Sequence, residues 1–170
     1  KGLIENVTEA YEWLVENYEK NDEIFIFGFS RGAYTARSLA GFIAKYGILR
    51  LGAPLGVGQI YERYKAKNDR TIWKLLELDQ KGKLGPISIE ERWMLKFSIP
   101  AKIKMISVWD TVGALGIPIF SIKGISRSTL GFLHTGLRIP IEYGFHALAI
   151  DEHRHAFTPT PWTTKKTTAA

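Results

Sequence analysis

Ser30 stands between two glycines in the run Gly28-Phe29-Ser30-Arg31-Gly32. The apolar stretch Ile24-Phe25-Ile26-Phe27 precedes it, and residues at helical spacing follow. A strand, a sharp turn and a helix with serine at the apex form a nucleophile elbow, which strains the serine backbone and exposes its hydroxyl. The amide of the next residue, Arg31, then lies at a helix N-terminus and can help bind an oxyanion. That chemistry is covalent acyl transfer. A serine hydroxyl is a poor nucleophile unless a histidine takes its proton and a carboxylate orients that histidine.

A five-residue Gly-x-Ser-x-Gly pattern also occurs by chance in glycine-rich turns. The flanks argue for the elbow. The Ile- and Phe-rich run suits a strand buried on both faces. Ala33, Ala36, Leu39, Ala40 and Ile43 recur at helical spacing. Small residues at 32, 33 and 36 suit a helix pressed closely against a sheet, and both glycines are expected to make room for that approach.

In α/β-hydrolases the chain order is serine, acid, histidine. Asp110 fits the acid, because it directly follows the strand-like run Ile103–Trp109. Its other reading is a cap on the next turn through the Thr111 and Val112 amides. Four histidines follow. His134, in a glycine-rich loop, is the candidate for a mobile base. His146 lies among apolar residues and reads as a satisfied core histidine. His153 and His155 fall in Asp151-Glu152-His153-Arg154-His155, whose spacing does not bring three ligands onto one helix face, so no metal site is expected. The acyl-transfer chemistry calls for no metal and no organic cofactor.

The elements that must hold these residues can be read from the pattern. Residues 3 to 19 form an amphipathic helix, with Leu3, Val7, Ala10, Tyr11, Leu14 and Tyr18 on one stripe and Glu5, Glu9, Glu12 and Glu16 off it. The elbow helix runs to about Tyr46, with Gly47 as its C-terminal cap. Helices are predicted over Gln59 to Ala66, Thr71 to Leu78 and Glu90 to Phe97. They read either as a lid-like insertion or as an ordinary connection. Ile103 to Trp109 is a strand, and residues 114 to 140 are loop-rich. Residues 141 to 156 fit a helix through the apolar positions 141, 145, 148 and 149, with a strand over 145 to 150 as the alternative. No internal repeat is present.

The chain has 170 residues, 45% of them hydrophobic and 24% charged, enough for one domain with a real core. It has no cysteine, which excludes disulfides and cysteine catalysis. The formal charge of +6 could draw the chain to anionic lipid, but the basic residues are scattered, and no arginine-rich helix or stacking platform points to nucleic acid. Five tryptophans are spread along the chain, most of them expected in the core. No bilayer-spanning run or secretory signal is read, so the expected location is the cytoplasm, or outside the cell by a route without a signal peptide. The first residue is Lys1, so either the start is processed away or the chain is part of a longer protein.

Three blocks together carry a family resemblance: Phe27-Gly28-Phe29-Ser30-Arg31-Gly32-Ala33-Tyr34-Thr35-Ala36-Arg37, Val108-Trp109-Asp110-Thr111-Val112-Gly113-Ala114, and His146-Ala147-Leu148-Ala149-Ile150-Asp151-Glu152 followed by Phe157-Thr158-Pro159. In this order they resemble the catalytic domain of the type VI secretion phospholipase effectors, a domain also found in fungi. The resemblance implies an α/β fold of the α/β-hydrolase type, a mostly parallel sheet flanked by helices, in a truncated version. It implies Ser30 as nucleophile and Asp110 as acid, acting on ester bonds of lipids. The family's opening strand with Phe-Asp-Gly-Thr, and its histidine in a Gly-Val-His-x-Asp-Val-Gly-Gly-Gly-Tyr segment, have no match in this sequence. His134 is therefore only a substitute base, and the chain is expected to be inactive alone or to need a partner chain that completes the fold. The alternative is a non-catalytic, degenerate hydrolase module. The expected organisation is a partial hydrolase domain over 1–158 with a helical insertion at 59–98, then a flexible tail over 159–170. The expected partners are an ester or lipid substrate and a membrane surface, with no nucleic acid.

Overall fold

The computed structural model describes residues 2–65, 70–110 and 141–151. Its elements, in order, are α1 (Leu3–Asn17), β1 (Ile24–Phe29), α2 (Arg31–Tyr46), β2 (Ile48–Leu49), α3 (Val57–Lys65), α4 (Ile72–Gln80), α5 (Ile89–Phe97), β3 (Ser98–Ile99), β4 (Ile103–Trp109) and β5 (Ile141–Ala147). Among the described residues this is an α/β fold whose main sheet is parallel. The chain divides into two compact units.

The first unit comprises Ile24–Gly41 and Ile103–Ala170. Among its described residues, three strands form a parallel sheet in the order β1-β4-β5. Strand alternation sorts the side chains. Ile26, Gly28, Ile106, Val108, Gly144 and His146 share one face. On it Ile26, Ile106 and Val108 are buried, as are Ala33 and Ala36 of α2. A Cβ built on Gly28 would lie 2.6 Å from Ala33 Cα and 2.7 Å from Ala36 Cβ, so α2 crosses this face where only hydrogen fits. The other face carries Phe25, Phe27, Phe29, Trp109, Tyr143 and Phe145, all exposed, with Phe27 stacked on Trp109 at 6.5 Å.

The second unit comprises Lys1–Glu23 and Phe42–Lys102. Tyr11 is its central residue. Its ring meets Phe42 edge-on at 4.8 Å. Its hydroxyl donates to the Gly47 carbonyl at 2.9 Å and accepts from the Leu49 amide at 3.2 Å. Gly47, at φ 69°, ends α2, and its amide donates to the Ile43 carbonyl at 2.7 Å. The antiparallel pair β2–β3 follows from this turn, since a Cβ on Gly47 would lie 2.4 Å from the Ile99 carbonyl oxygen. Helix α5 opens with a capping box. Ser88 Oγ accepts from the Glu91 amide at 3.2 Å, and Glu91 Oε2 accepts from the Ser88 amide at 3.0 Å.

The same Glu91 carboxylate takes a two-pronged pair from Arg70, at 2.9 Å from Nε and 2.7 Å from Nη2. Arg70 also donates to the Leu84 and Pro86 carbonyls, both at 3.0 Å, which ties the 81–88 connection down. Glu91→Ala removes the cap and the pair together. It is expected to lower stability by about 2–3 kcal/mol in urea unfolding. The Arg70 hydrogen bonds hold the Glu91 carboxyl below the usual carboxylate range. The folded chain therefore binds that proton less readily than the unfolded one. Its stabilisation is complete above the ordinary glutamate pKa and is lost as pH falls through the depressed one. Acid unfolding of Glu91→Gln is expected to be the less pH-dependent of the two chains.

Two expectations are corrected. Residues 141 to 147 form a strand, not the start of a helix over 141–156. Their apolar side chains at 141, 143, 145 and 147 alternate, and the parallel ladder to β4 takes that period. Among the described tryptophans, Trp13 is 61% and Trp109 41% exposed, and neither Trp73 nor Trp93 is fully buried. The buried aromatic rings among the described residues are instead Tyr11, Tyr34, Phe42 and Tyr46. The predicted helices in the 59–98 stretch are present as α3, α4 and α5. The 159–170 tail lies outside the described residues.

Candidate active site

Ser30 occupies the turn between β1 and α2 at φ 54°, in the left-handed region. A serine there is strained, and the surrounding structure must hold it. Two hydrogen bonds do so. The Ser30 amide donates to the Trp109 carbonyl at 2.9 Å, extending the β1–β4 ladder by one residue, and the Ser30 carbonyl accepts from the Ala33 amide at 3.1 Å. The hydroxyl-bearing residue is thus fixed from the strand side and the helix side alike. Helix α2 begins at Arg31, so its amide is one of the first-turn donors with no intrahelical partner. Such an amide and the positive end of the helix both favour an anion beside Ser30.

The flanking glycines have different roles. Gly28 has no room for a side chain, as expected. A Cβ on Gly32 meets nothing within 4 Å. The expectation that Gly32 also makes space for helix packing is therefore corrected: it sits on the exposed first turn of α2.

Asp110 directly follows β4 and is also left-handed, at φ 42°. Its amide donates to the Ala147 carbonyl at 3.0 Å, and one carboxylate oxygen, Oδ1, accepts from the Ala149 amide. This repeats the Ser30 device one strand over. In each case the residue after a strand bends left-handed while its amide continues the ladder to the next strand. The register Phe29↔Trp109↔Ala147 therefore sets Ser30 and Asp110 side by side on the carboxyl edge of the sheet, where open α/β sheets hold their sites. The capping partners expected for Asp110, Thr111 and Val112, lie outside the described residues.

His146 is on β5, opposite Val108, on the face that α2 covers. The core reading expected for it is corrected, because it is half-buried and feels two charges. Burial and the Arg37 guanidinium push its pKa down, while Asp110 pulls it up. Arg37 itself is on α2 and 2% exposed, and burial lowers its pKa to about 10. Sequence reasoning passed over Arg37. An arginine one turn after Ala33 and next to Ala36, the alanines that pack on Gly28, is the signal that could have found it. His146 belongs to β5 and Ser30 to the end of β1, with β4 between them. Two strand spacings separate them, about 10 Å. His134, His153 and His155 lie outside the described residues. Among the described residues there is no group of three or more metal-ligating side chains. Among them, no helix is long and apolar enough to cross a membrane.

The family model described as "T6SS, Phospholipase effector Tle1-like, catalytic domain" matches residues 1–170. Among curated proteins, "Uncharacterized protein YEL023C" of Saccharomyces cerevisiae is 31% identical over 174 residues. That match covers 96% of this chain and 23% of the yeast protein, so the chain spans about a quarter of that relative's length. No solved structure matches the chain.

Proposed function

This chain belongs to the type VI secretion phospholipase effector Tle1-like catalytic domain family, and from that premise we propose that it is the nucleophile-bearing part of a serine hydrolase acting on lipid esters. Ser30 attacks the ester carbonyl. The Arg31 amide, at the start of α2, helps hold the tetrahedral oxyanion. Asp110 orients the histidine that takes the Ser30 proton and stabilises its charged form. The observation that carries this reading is the pair of left-handed residues, Ser30 and Asp110, side by side on the carboxyl edge of one parallel sheet. The exposed rings of Phe29 and Trp109 directly precede these two residues, so an acyl chain reaching Ser30 would find apolar surface beside it. This supports a lipid-directed reading and contact with a membrane surface.

The base is a separate matter. His146, the described histidine, is two strands from Ser30. This favours a base drawn from residues outside the described ones, with His134 as the substitute within this sequence, or a partner chain that supplies it.

The test is reaction of the folded chain with a fluorophosphonate probe, with the adduct located by peptide mass spectrometry. An adduct on Ser30 that forms about 10³–10⁴-fold more slowly in Asp110→Asn supports the triad. No adduct on a chain with native circular dichroism would mean that the machinery within this chain is incomplete, either for want of a base from outside it or because the module is non-catalytic. An adduct that forms at the same rate in Asp110→Asn would remove Asp110 from the mechanism.

A further inference from the structure

Asp110 is gripped by the end of β5. Its amide is held by the Ala147 carbonyl, and its Oδ1 by the Ala149 amide. The residue before this grip is His146. It faces the same side of the sheet as Val108, the residue two before Asp110. Asp110 follows the strand next to β5, and its charge acts on His146. Across the same face lies the buried Arg37 of α2. We propose that His146 is a positioning residue for Asp110: with the Ala147 and Ala149 backbone, it fixes the direction of the carboxylate at the sheet edge. The inference rests on the reading of Asp110 as the triad acid.

The chemistry favours an imidazole here. Arg37 offers only donors, and a carboxylate offers only acceptors. A neutral imidazole has one of each, so it can accept from the guanidinium side and donate to the carboxylate. An imidazolium would turn a second N–H toward Arg37. Burial and the Arg37 charge both favour the neutral form, and the Asp110 charge opposes them. Among the described residues of β4 and β5, Lys104 and Glu142 pair with each other at 3.0 Å toward the other end of the strands. The donor to Asp110 then leaves the second carboxylate oxygen aligned for the triad histidine, while Oδ1 stays on Ala149.

The test needs no turnover. Histidine titration by NMR is followed in the wild type and in Asp110→Asn, and exchange of the Ala149 amide in His146→Leu and His146→Gln. The pKa of His146 is expected to fall in Asp110→Asn, since a favourable charge is lost. The Ala149 amide is expected to exchange about ten-fold faster in His146→Leu, with β1 amides unchanged, and to recover in His146→Gln, which keeps a donor and an acceptor. An unchanged His146 titration in Asp110→Asn overturns the proposal. So does an Ala149 amide equally protected in both His146 variants. If His146→Leu does not fold, the Asp110→Asn titration decides alone. Both readouts are independent of Ser30 reactivity, so coupling without a Ser30 adduct bears on the hydrolase reading only.

Discussion

Ser30→Ala is expected to abolish the covalent phosphonyl adduct and any ester hydrolysis together, a loss of about 10⁶-fold where the full triad operates. The fall is large because every later step depends on the acyl-enzyme bond to Oγ. Removing the hydroxyl leaves the Arg31 amide and the helix end intact, but they have no tetrahedral intermediate to stabilise. The substitution should barely change stability. Ser30 makes its structural hydrogen bonds through the backbone, to the Trp109 carbonyl and from the Ala33 amide. Alanine does not relieve the left-handed φ of 54°, so the turn keeps its strain. The measurement is hydrolysis of a short-chain ester and of phospholipid vesicles, beside probe labelling and urea unfolding. Loss of activity at unchanged stability identifies Oγ as the nucleophile. Retained activity in Ser30→Ala would place the chemistry elsewhere.

The elbow was legible because it is local. An apolar run, two glycines and a small-residue helix all lie within about twenty residues, and each has one structural meaning. The position of Asp110 just after a strand is legible for the same reason, from the apolar run Ile103–Trp109 that it follows. The strand at 141–147 was harder to read, because positions 141, 145, 148 and 149 fit a helix as well as 141, 143, 145 and 147 fit a strand. What decides between them is the ladder to β4, a partner about forty residues away that no local pattern announces. The pairing of Ile48-Leu49 with Ser98-Ile99 is too short for any periodicity to show. The surroundings of Asp110 were hidden for the same reason. His146 and the Ala149 amide come from one stretch of chain and Arg37 from another, and they meet Asp110 only through strand register and the seating of α2. His146 looked like core because its neighbours are apolar. It does lie on the face that α2 covers, but near the end of β5, where it is only half-buried and faces the Arg37 and Asp110 charges.

Gly28 is where sequence, packing and site meet most tightly, and it yields the second large effect. Gly28→Ala is expected to lower stability by about 3 kcal/mol, and Gly28→Val by more. The new Cβ would lie 2.6 Å from both Ala33 Cα and the Gly32 carbonyl oxygen, and 2.7 Å from Ala36 Cβ. Two of these three atoms are backbone, so no rotamer change relieves the clash. Helix α2 must lift off the sheet, and it carries the Ser30 turn and the Arg31 amide at its first residues. Reactivity should therefore fall further than stability alone explains, because small displacements of an oxyanion donor cost transition-state binding steeply. Gly32→Ala is the matched control. It adds the same methyl group on the other side of Ser30, where nothing lies within 4 Å, and places alanine in a helical first turn. Its stability should be unchanged or higher by about 0.5 kcal/mol. Urea unfolding of the two alanine variants separates them. A Gly28→Ala chain as stable as Gly32→Ala would mean that α2 does not depend on this contact for its seat. The elbow would then owe its geometry to the Ser30–Trp109 and Ser30–Ala33 hydrogen bonds alone.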